Sequence, residues 1–452
     1  MSKLGAIGPG EDVTGSSGMW VSPRTLLGTE RQRQFSLESA AFLSSLCSCL
    51  ISFIFRPFVE LPLPPTLNPV EIFRERSYIS PLLHSSLRVP QIPSFRSSYP
   101  FTFLLLPNVC GNIIVSNRMA MSFSLPLITL EEHFLSPTVK EHYVTTQTRS
   151  PYHMFPKALT DNLSDLGESR IKNMDAGSVT MQIISHGPNS LALDIATCSK
   201  ANDELARAVK DHPGRYAGFA TLPMADPPAA AKELRRCVKE LGFVGTLIDD
   251  NCQGRFYDDE FFWPVFEAAQ ELDVAIYLHP SYNQGAKKVL FEGNYPDAIA
   301  ENLALHGFGW HSECALHVLR LFAAKVFDHY PRLKIIIGHM GEMLPFQLDR
   351  VVRISSTQWP KLGVKPERQL RQVWDENIWV TTSGMFALAP MACLVRQCKP
   401  DRILYSVDYP FANIKWGLDF MNELEKSGMV SQEMLEKIAY KNAEKLLGVK
   451  AR

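Results

Sequence analysis

Glu131 and His133 are the first residues along the chain whose types and spacing suit metal binding. They follow the mostly apolar run 125–130, which has the composition of a strand. Because successive side chains of a strand point to opposite faces, residues two apart share a face. A carboxylate and an imidazole placed in this way are suitable ligands for a divalent cation. Alone the motif is weak evidence, since a solvated strand end with chance charges gives the same letters.

Two later apolar runs end in residues of the same chemistry. His279 follows the run 274–278, and Asp408 follows the run 403–407. A repeated His, Glu or Asp at the end of an apolar run is much harder to obtain by chance than one motif. If these runs are parallel strands of one sheet, their carboxyl ends meet at one edge. The sequence therefore predicts that Glu131, His133, His279 and Asp408 bind a single divalent ion.

Eight apolar runs of strand length lie within residues 121–452, and most are followed by a stretch with helical periodicity. Most runs are rich in Val, Ile, Leu or Phe, as expected of strands buried on both faces. The clearest helical stretches are 226–241, which opens with Asp-Pro-Pro, 259–272 and 313–329. The predicted strands are 127–130, 179–185, 216–222, 243–248, 274–278, 333–337, 378–381 and 403–407.

Alternating strands and helices with eight strands predict an α/β fold of the (β/α)8, or TIM, barrel class. In such a barrel the functional residues lie where the strands end. A doubly wound open sheet is the alternative fold. That fold usually carries a Gly-rich phosphate-binding loop after its first strand, whereas Glu-Glu-His stands there in this chain.

Residues 1–120 differ in composition from the rest of the chain. They hold 12 of the 31 prolines and many serines, and proline interrupts both helix and strand patterns. We interpret this segment as a low-complexity, disordered and dispensable extension, or as a mis-assigned translation start, and residues 121–452 as the barrel domain. The uncharged run 39–55 is short for a membrane helix, which needs about 20 apolar residues. A weak anchor there is the alternative.

The overall charge and the cysteines exclude several classes of function. The net charge is -1, so no electrostatic attraction draws the protein to nucleic acid or to an anionic membrane. The nine cysteines are scattered without a zinc-finger C-x-x-C pair. We interpret them as the reduced thiols of a cytoplasmic protein.

The other histidines between residues 180 and 330 fall into two groups. His186 ends the run 179–185 and so lies at the predicted active end, which makes it a candidate substrate-binding residue. The rest we interpret as surface or packing residues, in predicted helices or the loops before them: His212, His306, His311, His317 and His329.

Short motifs follow one another in a fixed order between residues 125 and 450. They are LEEHF (130–134), ELRRC (233–237), LGFVG (241–245), YLHP (277–280), FDHYP (327–331), IGHMGE (337–342), TTSG (381–384), DRIL (401–404) and SVDYPF (406–411). In content, order and spacing this set resembles the amidohydrolase-related metal-dependent decarboxylases. That family includes the dihydroxybenzoate, 5-carboxyvanillate and salicylate decarboxylases and, more distantly, the aminocarboxymuconate semialdehyde decarboxylase.

The resemblance implies roles for individual residues. The four candidate ligands match the family's metal ligands, and His133 completes a set that some fungal members lack. His339, with Glu342 as its partner, matches a histidine near the substrate. Asp408, His339 and Glu342 are therefore the expected catalytic residues.

Three further positions bear on the substrate pocket. Arg350 matches an arginine that, in relatives, approaches the neighbouring subunit's site. Asp249 stands where several relatives have Asn, and Ser281 where many have Arg. We take Arg350 and Asp249, with His186, as candidate substrate-binding residues.

The resemblance predicts a metal-dependent, non-oxidative decarboxylase of a hydroxylated aromatic or similar cyclic carboxylic acid. One divalent ion is implied, zinc or manganese, with magnesium as a further candidate, and no redox cofactor. Asp408 would protonate the ring carbon that loses carbon dioxide, and His339 would hold or deprotonate the phenolic oxygen. Two alternatives stay open: a metal-dependent hydrolase of a lactone or amide, and a catalytically silent binding barrel.

The sequence also predicts self-association. Residues 316–327 are mostly apolar, and Arg350 matches an inter-subunit position in relatives. A homo-oligomer, either a dimer or a tetramer, is expected, although a helix buried in the core would have the same pattern.

Overall fold

The computed structural model describes residues 123–148, 150–187, 193–281, 285 and 287–451, apart from the side chain of Met154. The predicted extension and its apolar run lie outside these residues. Eight parallel strands form one sheet in which each strand pairs with the next in chain order, so the predicted (β/α)8 barrel is confirmed. The strands are β1 (Leu127–Phe134), β2 (Val179–His186), β3 (Tyr216–Ala220), β4 (Gly245–Asp249), β5 (Ala275–His279), β6 (Lys334–Ile337), β7 (Ile378–Thr381) and β8 (Ile403–Leu404).

Helices follow the strands and cover the outside of the barrel. The helix Pro227–Glu240 begins as its Asp-Pro-Pro entry predicts, because Asp226 Oδ1 accepts a hydrogen bond from the Ala229 amide at 3.1 Å. The α-helices are Pro137–Thr145, Lys157–Ser164, Glu168–Ala176, Ile195–Asp211, Pro227–Glu240, Trp263–Leu272, Asp297–Asn302, Gly309–Ala323, Val326–His329, the short kinked turn His339–Glu342, Leu344–Thr357, Leu370–Asn377, Leu388–Gln397, Ile414–Ser427, Gln432–Glu436 and Asn442–Leu447. Shorter 3₁₀ or π segments are Pro151–Met154, Glu260–Phe262, Lys287–Phe291, Leu303–Gly307, Trp359–Leu362 and Lys437–Lys441.

The strands are buried on both faces and divide their side chains between two apolar clusters. In β6, Ile335 and Ile337 pack in the larger cluster under the helices, whereas Ile336 belongs to a second cluster. This alternation follows from the two-residue period of a strand. The second cluster takes residues from all eight strands and fills the barrel interior: Ile128, Leu130, Met181, Ile183, Ala217, Phe219, Leu247, Ala275, Tyr277, Ile336, Trp379 and Leu404.

The first and last strands are joined by a side chain. Oγ of Ser406 accepts hydrogen bonds from the amides of Leu130 at 2.9 Å and Glu131 at 2.7 Å. Two consecutive amides on one acceptor indicate a bulge, and the pairing of β1 with β2 shifts register between Thr129 and Glu132. Because of this shift, Leu130 packs inside the barrel and the next residue also faces inward. The bulge therefore aims Glu131 and His133 at the mouth of the barrel.

Several element boundaries differ from those predicted. Strand β8 ends at Leu404 rather than at residue 407, since the segment after it bonds to β1 through the Ser406 side chain. The predicted helix 313–329 begins earlier, at Gly309, and is divided at Lys325, where φ is +62°. The predicted helix 259–272 opens with a 3₁₀ turn. His311 consequently lies in a helix and not in the loop before it.

Two properties bear on the environment of the protein. The six cysteines in the described part of the chain are all free thiols. Among the described helices, none is both long enough and apolar enough to cross a lipid bilayer.

Candidate metal centre and active site

Four side chains from three strand ends meet at the mouth of the barrel. One ligand atom from each of Glu131, His133, His279 and Asp408 lies within 4.8 Å of the others. Nε2 of His279 is 3.1 Å from Oε1 of Glu131, and Nε2 of His133 is 3.3 Å from Oδ1 of Asp408. Ligand atoms bound at about 2.1 Å to one tetrahedral ion lie about 3.4 Å apart. The spacing is that of a coordination sphere.

The donor atoms themselves show that the residues fit a metal ion. Oε1 of Glu131, Nε2 of His133 and Oδ1 of Asp408 are buried and have no hydrogen-bond partner. An unpaired buried polar atom costs about 1–3 kcal/mol, and three such atoms face one another here. A cation that binds all of them removes that cost.

The opposite atoms of these ligands are held by the protein. Nδ1 of His279 bonds the carbonyl of Pro280 at 2.6 Å, which leaves Nε2 free for a metal. The Tyr277 hydroxyl donates to Oε2 of Glu131, and it lies 2.8 Å from Oγ1 of Thr381. Gly338 provides the room, because a Cβ there would lie 2.8 Å from Oε2 of Glu131. These contacts orient the ligands before any ion binds.

Burial and neighbouring charges set the protonation of the ligands. Burial alone would raise the pKa of Glu131, but the charges of His339, His279 and His133 outweigh it and hold that pKa well below its usual value. Burial lowers the pKa of His133 despite the nearby Asp408 carboxylate. The site thus favours an ionised carboxylate and a neutral imidazole, the forms that bind a cation. Burial would lower the pKa of His279, but the Glu131 carboxylate, 3.1 Å from its Nε2, outweighs burial and raises that pKa.

His339 and Glu342 form a buried pair beside the four ligands. Nδ1 of His339 is 2.7 Å from Oε1 of Glu342, and its Nε2 lies 3.8 Å from Oδ2 of Asp408. Burial alone would lower the pKa of His339, but the charges of Glu342 and Glu131 outweigh burial and hold that pKa well above its usual value. The pair therefore carries an imidazolium whose Nε2 faces the metal ligands.

The backbone at these residues is strained. His339, Met340, Glu342 and Met343 have φ between +48° and +68°, and Asp408 has φ +73°. For residues other than glycine, each such conformation costs about 1–3 kcal/mol. Strain of this kind clusters at functional sites, and here it falls at the ends of β6 and β8.

Glu132 is a buried carboxylate that the sequence analysis did not assign. Its Oε1 accepts from the Val407 amide at 3.0 Å and from Oγ of Ser406 at 3.1 Å, and its Oε2 from Nε2 of Gln182 at 3.2 Å. Burial raises the pKa of Glu132 to about 8, although the Val407 amide and Arg170 oppose it. The sequence feature that could have indicated this role is a second acid, Glu132, directly after Glu131 at the end of an apolar run.

The interpretation of His311 as a surface or packing residue is wrong. Its Nδ1 lies 2.7 Å from Oε2 of Glu342, and its ring meets that of His339 edge to face at 4.6 Å. His311 comes from the helix Gly309–Ala323, which follows β5. No periodic pattern in the sequence indicates this contact, because a long segment separates β5 from the helix.

A cavity of about 350 Å³ opens in front of the ligands. His279, Asp408 and His339 lie in its wall, and His306 also lines it. The remaining walls are largely aromatic: Phe155, Trp310, Phe411 and Trp416. Flat apolar walls with a charged end suit a planar acid.

The three candidate substrate-binding residues lie elsewhere. His186 and Asp249 line a smaller chamber of about 60 Å³ on the β2–β4 side of the mouth. Residues Phe134 and His186 are partners in the β1–β2 pairing, and Asp249 and His279 in the β4–β5 pairing, so the chamber adjoins two ligand-bearing strands. Arg350 is exposed on the helix Leu344–Thr357 and makes no described contact with the site of its own chain.

Comparisons with known proteins agree with this geometry. The amidohydrolase family profile matches residues 168–449. The chain is 46% identical over 326 residues to decarboxylase orsB of Emericella nidulans, and the alignment covers 72% of this chain and 97% of that protein. It is 36% identical over 335 residues to the gamma-resorcylate decarboxylase of a Polaromonas species, and this alignment covers 71% of this chain and 97% of that protein.

A solved structure supports the same assignment. The dihydroxybenzoic acid decarboxylase of a Polaromonas species, with bound manganese and the inhibitor 2-nitroresorcinol, superposes with a TM-score of 0.63 and 33% identity. The match covers 72% of this chain and 97% of that one. The chain belongs to the amidohydrolase family, and the resemblance to its decarboxylases is confirmed.

Proposed function

We propose that the protein is a metal-dependent, non-oxidative decarboxylase of a hydroxylated aromatic carboxylic acid. The observation that carries the proposal is the set of unpartnered donor atoms of Glu131, His133 and Asp408, which face one another beside an aromatic cavity. Such a site binds one cation and one planar acid at the same place. The relatives named above are decarboxylases, one of them with manganese.

Glu131, His133, His279 and Asp408 would hold the ion, as Mn²⁺ or Zn²⁺, with Mg²⁺ as a further candidate. When bound, the ion supplies positive charge that fixes the carboxylate and an adjacent oxygen of the acid. The other requirements fall to side chains of this chain. They are orientation of the ring, a proton for the ring carbon and a partner for the phenolic oxygen.

Asp408 is the residue best placed to deliver the proton. Its side chain is 16% exposed, lies in the cavity wall and is held 3.3 Å from Nε2 of His133. When the bond to the carboxylate breaks, its electron pair stays on the ring carbon, and the proton from Asp408 joins that carbon as carbon dioxide leaves. No electrons are gained or lost overall, so no redox cofactor is needed.

His339 holds the phenolic oxygen. Its Nδ1 is engaged by Glu342, so Nε2 is the nitrogen that faces the cavity. The carboxylate of Glu342 fixes the ring orientation and supports the charged imidazolium. A hydrogen bond from Nε2 to the phenolic oxygen then fixes the ring relative to Asp408.

His186 and Asp249 are proposed to bind a polar substituent of the acid. Nδ1 of His186 bonds the Gly187 carbonyl at 2.9 Å, while its buried Nε2 has no partner. Burial lowers the pKa of His186 to about 4, so at neutral pH this nitrogen is an acceptor. An acceptor nitrogen and a carboxylate around one chamber suit a hydroxyl group.

We also propose a homo-oligomer in which Arg350 reaches the neighbouring copy's site. Phe346, one helical turn before Arg350, is 83% exposed, and Met343 and Phe308 near it are also exposed. An apolar surface of this kind beside an active-site mouth is typical of an interface. Phe346→Glu is expected to lower the mass seen by light scattering to that of one chain, whereas Leu362→Glu, at an exposed side chain in the segment after this helix, leaves it unchanged. An unaltered mass in both variants contradicts the interface.

The free thiols support a reducing, cytoplasmic location. Immunofluorescence or fractionation with a cytosolic marker tests this placement, and enrichment with a secreted fraction contradicts it.

The decisive experiment incubates metal-loaded protein with a panel of hydroxybenzoates, candidate lactones and candidate amides. Loss of acid absorbance with release of carbon dioxide is expected for at least one acid. Asp408→Asn is expected to bind that acid, seen by competition with a nitrophenol inhibitor, without turnover. Near-normal turnover by this variant would remove Asp408 from the mechanism.

The two alternatives have separate signatures in this assay. Ring opening of a lactone or cleavage of an amide, without carbon dioxide, identifies a hydrolase. A protein that holds no metal and turns over none of the candidates is a catalytically silent binding barrel, which the three unpartnered metal-ligand atoms argue against.

A further inference from the structure

Glu342 is held by an imidazole on each of its two oxygens. Oε1 lies 2.7 Å from Nδ1 of His339, and Oε2 lies 2.7 Å from Nδ1 of His311. Glu342 is fully buried, so no solvent competes for either oxygen. A carboxylate bonded in this way cannot rotate without breaking both hydrogen bonds.

His311 is itself fixed at its other nitrogen. Nε2 lies 3.3 Å from the carbonyl oxygen of His306, which belongs to the segment Leu303–Gly307. That segment and His311 both line the cavity in front of the ligands, since His306 and His311 are part of its wall. Both ring nitrogens of His311 thus face oxygen atoms. The ring therefore connects the cavity wall to Glu342.

We propose that His311 is a positioning residue for the decarboxylation. By binding Oε2 of Glu342, it directs Oε1 at His339 and so fixes the direction in which Nε2 of His339 points. This inference rests on the proposed function, in which that nitrogen holds the phenolic oxygen. His311 acts through Glu342, and its own ring is not required to touch the substrate.

Loss of His311 has a specific physical consequence. Oε2 of Glu342 would be buried and unpaired, which is unfavourable, and the carboxylate would turn to share His339 between both oxygens. Nε2 of His339 would then move relative to Asp408, now 3.8 Å away. A shift of about 1 Å in a positioning group can cost about 100-fold in rate.

The same three residues have donor atoms close enough together for a cation. The hydrogen-bonded arrangement is favoured, because both Glu342 oxygens already have imidazole partners at 2.7 Å. A cation would have to displace the hydrogen from both Nδ1 atoms. Metal content therefore distinguishes the two uses of the cluster: one ion per chain supports the positioning role, and a second ion that disappears in a His311 variant contradicts it.

The test compares two substitutions with different hydrogen-bonding capacity. His311→Asn keeps a side-chain donor near the position of Nδ1, whereas His311→Phe fills the volume without any donor. His329→Phe, at an exposed histidine of the next helix, is the matched control. With the best acid from the panel, His311→Phe is expected to lower kcat about 10- to 100-fold with KM within about two-fold. His311→Asn should recover most of that loss, and metal content should stay constant.

Equal losses in the Asn and Phe variants, or a change confined to KM, would overturn the proposal. A second readout does not depend on the reaction. In protein labelled with ¹⁵N-histidine, the Nδ1–H resonance of His339 should lie far downfield in the wild type and in His311→Asn, and move or broaden in His311→Phe. If no acid is turned over, the proposed function fails, and this resonance alone decides the role of His311: an unchanged signal in His311→Phe contradicts it.

Discussion

The two ends of the barrel interior are built from the same eight strands and differ completely in chemistry. At one end, residues such as Ile128, Phe219 and Ile336 form a dry cluster. At the other, Glu131, His133 and Asp408 carry buried polar atoms without partners. Among the described residues, none of the unpartnered buried atoms belongs to the apolar cluster. The apolar end is satisfied by its own packing, whereas the polar end is completed only by a ligand.

This difference shows that the residues that stabilise the fold and the residues that carry the chemistry lie at opposite ends of the barrel interior. Alternation along each strand supplies the apolar layer, and the residues after the last apolar position supply the chemistry. The strained residues His339 and Asp408 lie at the polar end, which is consistent with strain held in place by a rigid layer below. The two ends should therefore respond to mutation in opposite ways.

The largest expected effect is loss of the metal. Glu131→Gln keeps the size of the side chain and a bond with Tyr277, but removes the charge that faces His279. We expect metal content to fall well below one ion per chain and kcat/KM to fall about 10³-fold or more, since the ion supplies several kcal/mol. Elemental analysis and the carbon dioxide assay measure both. Glu433→Gln, on the exposed surface, is the control, and a metal-replete Glu131→Gln would contradict the assignment.

A substitution in the apolar layer should instead lower the stability of the fold and leave metal binding unchanged. Ile336→Ala removes a fully buried side chain from the barrel interior, which typically costs about 2–5 kcal/mol. The urea midpoint should fall, while metal content and kcat of the folded fraction stay near wild type. Leu362→Ala, at a side chain that is 77% exposed, should leave the midpoint unchanged. Equal midpoints for the two variants would contradict the distinction between the ends.

Ser406 joins the apolar layer to the metal centre, so its substitution should moderately lower both the stability of the fold and the affinity for metal. Ser406→Ala removes the oxygen that accepts from the amides of Leu130 and Glu131 and donates to Glu132. Unpaired buried groups remain, so we expect a loss of about 1–3 kcal/mol in the free energy of unfolding together with weaker metal retention. Ser356→Ala, on an exposed helix surface, is the matched control. A change in stability without a change in metal affinity would separate the bulge from the site.

At neutral pH the smallest effect on stability is expected from His317, a buried histidine outside the mouth. Burial lowers the pKa of His317 to about 3, with Arg320 acting in the same direction, and its Nε2 accepts from the Tyr257 amide at 3.0 Å. The folded protein keeps this ring neutral, whereas the unfolded chain binds a proton below a pH of about 6.5. The contribution of the neutral His317 ring to the free energy of unfolding is thus complete above a pH of about 6.5 and is lost as the pH falls toward 3.

His317→Gln replaces the titrating acceptor by one that does not titrate. The fall of the urea midpoint between pH 7 and pH 4 should be shallower in this variant than in the wild type. His329→Gln, an exposed histidine, should keep the wild-type slope. If His317→Gln keeps that slope too, the ring is not held neutral by the fold.

The sequence predicted the barrel and the ligand set because both depend on local patterns. Buried parallel strands are apolar runs, and His279 and Asp408 follow such runs directly. The contact of His311 with Glu342 was not predictable in this way, since it joins a helix to the turn after β6 through space and no period relates them. Glu132 was missed for a different reason: the bulge at β1 breaks the simple alternation that a strand pattern assumes. The end of β8 was misplaced because Ser406 replaces backbone pairing there.

The most direct test of the central claim is anomalous X-ray diffraction from crystals of the protein loaded with manganese. We expect one peak per chain, about 2.0–2.4 Å from Oε1 of Glu131, Nε2 of His133, Nε2 of His279 and an oxygen of Asp408. A peak centred instead on His311, His339 and Glu342, or no peak at the mouth of the barrel, would contradict it.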